Sequence, residues 1–179
     1  IYMLLGPLRH RFTALERAKE QGIGHYFVPR YTRVVDTAES KDNINKAYNL
    51  ISTSKVRNEM IIDDVITCVA RKQTPVILTR FKEHAKFLHD ALKEKADHVF
   101  LLYGDNSDKE NAEIRVKLKQ IPENESLILV ATGQKIGEGF DFPRLDVLML
   151  AAPVSFEGRL EQYVGRLNRD YVGKEAVYV

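Results

Sequence analysis

Two arginines near the C-terminal end have the spacing and chemistry to bind a polyphosphate. Arg166 and Arg169 are three residues apart in the segment QYVGRLNR, so on a helix both guanidinium groups project from one face. A guanidinium group is always charged, and its planar fork forms paired hydrogen bonds with phosphate oxygens. Taken alone, such a pair is more often an ordinary surface feature, for which Glu161, Asp170 and Glu175 are nearby partners. A phosphate-binding role for these arginines therefore needs supporting evidence from other segments of the sequence.

A glycine-rich segment, TGQKIGEGFDFP, follows a predicted strand at 127–131. Glycine lets the backbone approach a phosphate or sugar closely, and Thr132 and Asp141 add a hydroxyl and a carboxylate. The segment matches neither a Walker A loop nor a GxGxxG dinucleotide fingerprint. By itself it indicates a phosphate or sugar contact and leaves the class of protein open.

The elements that must position these segments alternate regularly from residue 75 onwards. Short apolar strands between amphipathic helices predict a mainly parallel sheet with helices on both faces, a three-layer α/β/α sandwich. Strands are predicted at 76–78, 99–102, 127–131, 147–150 and 176–179, extended segments at 8–12 and 25–35, and helices at 43–51, 58–72 (with Asn58 as N-cap), 83–95, 109–119 and 160–168. Ligands of such sheets bind at the carboxyl ends of strands, which makes the segments directly after strands the candidates for function.

Composition excludes several classes of protein. The chain has 179 residues, 44% of them hydrophobic and 29% charged, which is enough for one folded domain and unlike a disordered chain. No apolar run approaches the roughly 18 residues of a membrane span, so no membrane partner is expected. The single Cys68 permits no internal disulfide, which favours the cytoplasm, and the scattered histidines predict no metal held by protein ligands alone. The net charge of +2 does not by itself indicate nucleic acid.

The combination of segments resembles superfamily 2 helicases of the restriction-enzyme-like and DEAD/DEAH types. A strand followed by Thr79-Arg80, then YGD, then ATGQKIGEGFDFP and finally QYVGRLNR is similar in order and spacing to their motifs IV, V and VI. The resemblance covers most of residues 75–179, and EGFD with QxxGRxxR is its most specific part. It implies a RecA-like fold and the second, C-terminal motor domain of an ATP-driven helicase or translocase.

The resemblance also implies roles at an ATP site. Arg169 matches the arginine finger, which stabilises the charge that develops on the γ-phosphate. Arg166 would contact the same phosphate, and Gln162 would help to hold this cluster. Gly139 and Asp141 match the positions near the nucleotide ribose.

Four further positions match contacts to the phosphate backbone of a nucleic acid, which position a strand without reading its bases. They are Thr79, Arg80, Gly104 and Thr132. Asp108 and Asn111 do not supply the Gln and Arg that follow the Gly-Asp turn in RNA-specific relatives. This departure favours DNA over RNA.

The chain has no GxxxxGK[ST] loop and no acidic magnesium box. ATP and Mg²⁺ are therefore expected to be bound mainly by a first RecA-like domain of the same polypeptide, and the isolated chain is expected to be inactive. Residues 1–55 are predicted to bridge the two domains and pack on the second, which covers 56–179. One alternative is a non-catalytic nucleic-acid-binding or interaction module with a RecA-like fold, which would have no use for two phosphate-facing arginines. Another is a small-molecule enzyme on a flavodoxin-like sheet, which would need a phosphate loop where TRFK stands.

Overall fold

The computed structural model describes residues 22–32, 34, 43–104, 106–133, 141–153 and 157–179. The extended segment predicted at 8–12 and the candidate Gly139 lie outside these residues. No helix in the described ranges is long and apolar enough to cross a membrane.

Six strands of the described residues form one parallel sheet, in the order β1-β6-β5-β2-β4-β3. The strands are β1 (Gly24–Tyr26), β2 (Pro75–Thr79), β3 (His98–Leu102), β4 (Leu127–Thr132), β5 (Val147–Leu150) and β6 (Ala176–Tyr178). Every residue of β2 and β4 is buried, which explains why both are uninterrupted apolar runs ending in threonine. β1 comes from the segment predicted to bridge two domains, and residues 27–32 after it have no regular structure.

The described residues include five helices: α1 (Ile44–Thr53), α2 (Lys55–Ala70), α3 (Lys82–Leu92), α4 (Asp108–Gln120) and α5 (Glu157–Leu167). The side chains of β2 and β4 alternate between two apolar cores, because successive residues of a strand point to opposite faces. Ile77 packs with α2 and α3, for example through Val65 and Leu88. Val76 packs on the other face with α4 and α5, for example through Leu118. The predicted three-layer α/β/α architecture is confirmed.

The predicted start of α2 is wrong. The helix begins at Lys55, after Ser54, and Asn58 lies inside it with 5% of its surface exposed. The Asn58 amide donates to the Ser52 carbonyl and its Oδ1 contacts His84 Nε2, each at 2.9 Å. Asparagine is present here for a buried hydrogen-bond chain and not for a helix cap.

Candidate nucleotide and nucleic-acid site

The four candidates for nucleic-acid contact lie at the carboxyl ends of three neighbouring strands. Thr79 ends β2 and Thr132 ends β4, and the two residues are partners in the strand register. Arg80 follows β2 directly, and Gly104 lies two residues beyond β3. The sheet therefore brings all four to one edge, as expected for segments that follow parallel strands.

Thr79 is nevertheless turned into the protein, with 3% of its surface exposed. Its Oγ1 lies 2.7 Å from His84 Nδ1, at the start of the chain that continues through Asn58 to the Ser52 carbonyl. Because the Asn58 amide donates to that carbonyl, its Oδ1 must accept, so His84 Nε2 carries a proton. In a neutral imidazole Nδ1 then accepts, and the Thr79 hydroxyl is the donor.

Burial, together with the charge on Arg57, lowers the pKa of His84 to about 4. His84 is therefore neutral at pH 7, and the proton of the Thr79 hydroxyl stays committed to it. A phosphate oxygen only accepts hydrogen bonds, so in this arrangement the Thr79 hydroxyl has no proton to offer one. Sequence reasoning missed His84, whose role depends on the packing of α3 against α2.

Arg80, in contrast, is exposed, and its guanidinium group lies over the Tyr48 ring at 4.4 Å from the ring centre. Stacking on an aromatic ring holds a guanidinium plane in place and leaves its N–H edges available to a ligand. A cleft of about 1030 Å³ opens beside Arg80 between α1, α2 and α3. Its charged lining residues are Lys55, Glu59, Arg80, Lys82 and Glu83. No motif in the sequence predicts this cleft.

Two of the candidates for ATP contact meet directly. Arg169 Nε lies 3.3 Å from Asp141 Oδ1, and the two side chains are 51% and 58% exposed. An ion pair this exposed contributes about 0–1 kcal/mol to stability. Asp141 is therefore the partner of Arg169, in place of the nearby acidic residues considered above, and the pair stays open to solvent.

α5 is fixed to the sheet by Tyr163, which sequence reasoning also missed. Tyr163 is 6% exposed, and its hydroxyl donates to the Gly133 carbonyl, just beyond β4, at 2.9 Å. A Cβ atom at Gly133 would lie 2.5 Å from this hydroxyl, so a larger residue here would displace the Tyr163 hydroxyl or the backbone. On the same helix Gln162 is exposed and Arg166 is half-buried. In the sequence, this anchor is indicated only by the apolar pair Tyr163-Val164 between Gln162 and Arg166.

The described residues contain no cluster of side chains that could hold a metal ion by protein ligands alone. No group of three or more His, Cys, Asp or Glu residues in these ranges is placed to hold a metal ion. Among the candidate ATP-binding residues, Asp141 has a carboxylate, and it faces the Arg169 guanidinium group.

The parallel sheet with its two helical layers is the fold of a RecA-like domain, and the motif order resembles that of superfamily 2 helicases. The family model of the helicase conserved C-terminal domain matches residues 54–170, and the chain belongs to this family. Transcript termination protein A18 of Yaba-like disease virus is 28% identical over 172 residues, which are 90% of this chain and 35% of the viral protein. The chain thus spans about a third of the length of this curated relative.

Solved structures share the fold. T4 UvsW superposes with a TM-score of 0.67 at 21% identity, over 89% of this chain and 32% of UvsW. The SWI2/SNF2 ATPase core of Sulfolobus solfataricus in complex with dsDNA gives 0.57 at 16% identity, over 80% of this chain and 33% of that one. Domain 2 of the DEAD-box helicase Mss116p bound to an RNA duplex gives 0.53 at 19%, over 73% and 49%. At these identities the likeness is one of fold.

Proposed function

We propose that this chain is the second motor domain of an ATP-dependent superfamily 2 helicase or translocase that acts on nucleic acid, with DNA favoured over RNA. The observation that carries the proposal is the meeting of Arg169 and Asp141, 3.3 Å apart and both exposed. Both residues match positions of the helicase motifs that contact ATP. The chain supplies these groups to a nucleotide whose phosphates and Mg²⁺ are held by a first RecA-like domain of the same polypeptide.

The weak pairing with Asp141 suits an arginine finger. Exchanging one exposed anionic partner for another costs Arg169 little, because the pair contributes about 0–1 kcal/mol. The γ-phosphate gains negative charge on its peripheral oxygens as it is transferred, and a guanidinium group placed there stabilises that charge. Asp141, once released, can accept a hydrogen bond from a ribose hydroxyl.

The nucleic-acid contact is assigned to Arg80 and to the strand ends around it. Its guanidinium is exposed at the carboxyl edge of the sheet, whereas the side chains of Thr79 and Thr132 are buried. Direct phosphate contact by the two threonines, and by Gly104, stays a prediction. Arg80 would bind phosphates irrespective of base sequence.

DNA is favoured over RNA by the segment after the Gly-Asp turn. Asn111 stands close to where RNA-specific relatives have a polar contact residue, and it is 6% exposed. Its side chain is used within the turn, where its amide donates to the Asn106 carbonyl at 3.3 Å. The fold neighbours are described with both double-stranded DNA and RNA, so the preference rests on this segment.

The test replaces Arg169 by alanine in the polypeptide that carries both motor domains. Nucleic-acid-stimulated ATP turnover should fall on the order of 10³-fold or more, the scale of an arginine finger. ATP affinity should fall far less, because the contact strengthens as charge develops in the transition state. Arg30→Ala is the matched control, since Arg30 also forms an exposed ion pair, with Asp64 at 2.8 Å.

Both variants should melt at the wild-type temperature, because exposed ion pairs contribute little to stability. Unimpaired turnover in Arg169→Ala would remove this residue from the mechanism. A large drop in its melting temperature would assign it to the fold instead.

A further inference from the structure

Lys174, which no motif includes, lies against the candidate ATP residues. It follows Gly173 and precedes β6, and its side chain is half-buried. Its Nζ donates to three backbone carbonyls, those of Pro143, Leu167 (2.8 Å) and Arg169 (3.2 Å). An ammonium group has three N–H donors, so this set of acceptors satisfies it fully.

The three carbonyls belong to two segments that are distant in the sequence. Leu167 is the last residue of α5, and carbonyls at the end of a helix lack partners within it and carry partial negative charge. Pro143 lies two residues beyond Asp141. One cation therefore joins the end of α5, two residues before Arg169, to the segment that carries Asp141.

We propose that Lys174 is a positioning residue that fixes the Arg169 backbone beside Asp141 and so sets the direction from which Arg169 reaches ATP. Lys174 bonds to the backbone carbonyl of Arg169 itself, the residue whose side chain has to reach the phosphate. The positioning is independent of nucleotide, but its consequence for turnover rests on the function proposed above.

The charge environment of Lys174 fits this role. Burial lowers the pKa of Lys174 to about 8, although the nearby carboxylates of Asp146 and Asp170 oppose the change. The group is therefore mainly an ammonium ion at pH 7, and hydrogen bonds from an ion are stronger than neutral ones. All three N–H groups of this half-buried ammonium ion donate to backbone carbonyls, so its contacts stabilise the backbone.

The test measures ATP turnover of Lys174→Met in the two-domain polypeptide, with Lys93→Met as control, since Lys93 is exposed just beyond α3. Because a displacement of about 1 Å at a catalytic group can cost on the order of 10²-fold, kcat should fall by up to that factor, with a far smaller change in KM for ATP. The decisive variant combines Lys174→Met with Arg169→Ala. It should be no slower than Arg169→Ala alone, because Lys174 acts through Arg169.

Two results would overturn the proposal: a kcat for Lys174→Met close to that of wild type, or losses that multiply in the double variant. If Lys174→Met does not fold, Lys174→Arg replaces it. That variant keeps the charge, but a planar fork cannot bring one nitrogen to three carbonyls, so it too should lose kcat, and only where Arg169 is present.

Hydrogen exchange separates this proposal from the proposed function. Loss of the Lys174 ammonium should speed amide exchange at 141–146 and at 167–171 together, whether or not Arg169 acts in catalysis. Loosening of only one segment would mean that Lys174 does not couple them. Normal turnover in Arg169→Ala, with both segments loosened in Lys174→Met, would refute the arginine finger and leave the positioning intact.

Discussion

Acid should destabilise this domain through His84. The native pKa of His84 is about 4, against an ordinary value of 6.5. Below pH 6.5 the unfolded chain takes up a proton at this residue and the native protein does not, so the free energy of unfolding falls until about pH 4. A pKa difference of about 2.5, at about 1.36 kcal/mol for each unit, corresponds to a loss of about 3 kcal/mol. Since His84 is 4% exposed, solvent screening reduces this little.

The assay is urea unfolding followed by circular dichroism, from about pH 7 to about pH 4, on wild type and His84→Gln. Protonation of exposed carboxylates also lowers the stability of the domain in acid. Hydrogen bonds from Ser126 and Ser107 hold the pKa values of Asp97 and Glu110 below their ordinary range in the native state. These groups titrate alike in both proteins, so the difference between the two profiles isolates His84.

His84→Gln should be less stable than wild type near neutral pH, by about 1–3 kcal/mol for the buried partners left unsatisfied. The two profiles should then converge as the pH falls. The control is His89→Gln, at a histidine that contacts Asp90 near the surface and takes no part in the chain from Thr79 to Ser52. Parallel profiles for His84→Gln and wild type would refute the proton assignment in the chain from Thr79 to Ser52.

Two further predictions concern Gly133 and Arg80. Gly133→Ala should lower the free energy of unfolding by about 1–3 kcal/mol, because its Cβ would lie 2.5 Å from the Tyr163 hydroxyl. Adding Tyr163→Phe should recover part of the loss, and simple additivity in urea unfolding would contradict the contact. Arg80→Ala should weaken binding of the two-domain polypeptide to duplex DNA of any sequence and reduce the dependence of log K on log salt by about one phosphate contact. Fluorescence anisotropy at several salt concentrations measures this, and an unchanged slope would exclude Arg80 from the interface.

The fold was largely predictable because burial on both sides leaves a clear mark. A strand covered on two faces is apolar at nearly every position. The apolar runs at 76–78 and 127–131 therefore indicated central strands of the sheet. Helix boundaries that depend on a single polar residue were harder to predict. Asn58 can cap a helix or complete a buried hydrogen-bond chain, and its neighbours in sequence do not distinguish the two uses.

The candidate site was predictable in its membership and much less in its geometry. Arg169 and Asp141 were assigned from separate motifs, and their ion pair depends on how α5 ends beside the segment that enters β5. Thr79 lies at the expected edge, yet His84 directs its hydroxyl inward. Lys174 resembles any surface lysine in the sequence, because its carbonyl partners come together only in the folded chain.

The pairing of β1 with β6 has a consequence for the order of folding. Gly24 pairs with Ala176, whereas Val76 in the middle of the sheet pairs with Leu129. The chain segment that the second pairing closes is much shorter than the segment between Gly24 and Ala176. Closing a longer loop costs more chain entropy, and contacts between distant residues form slowly. Among the described strands β1 lies at the edge of the sheet, and its partner, β6, must first join β5. The centre of the sheet can therefore assemble from residues 75–150, and the N-terminal strand is the last to be secured.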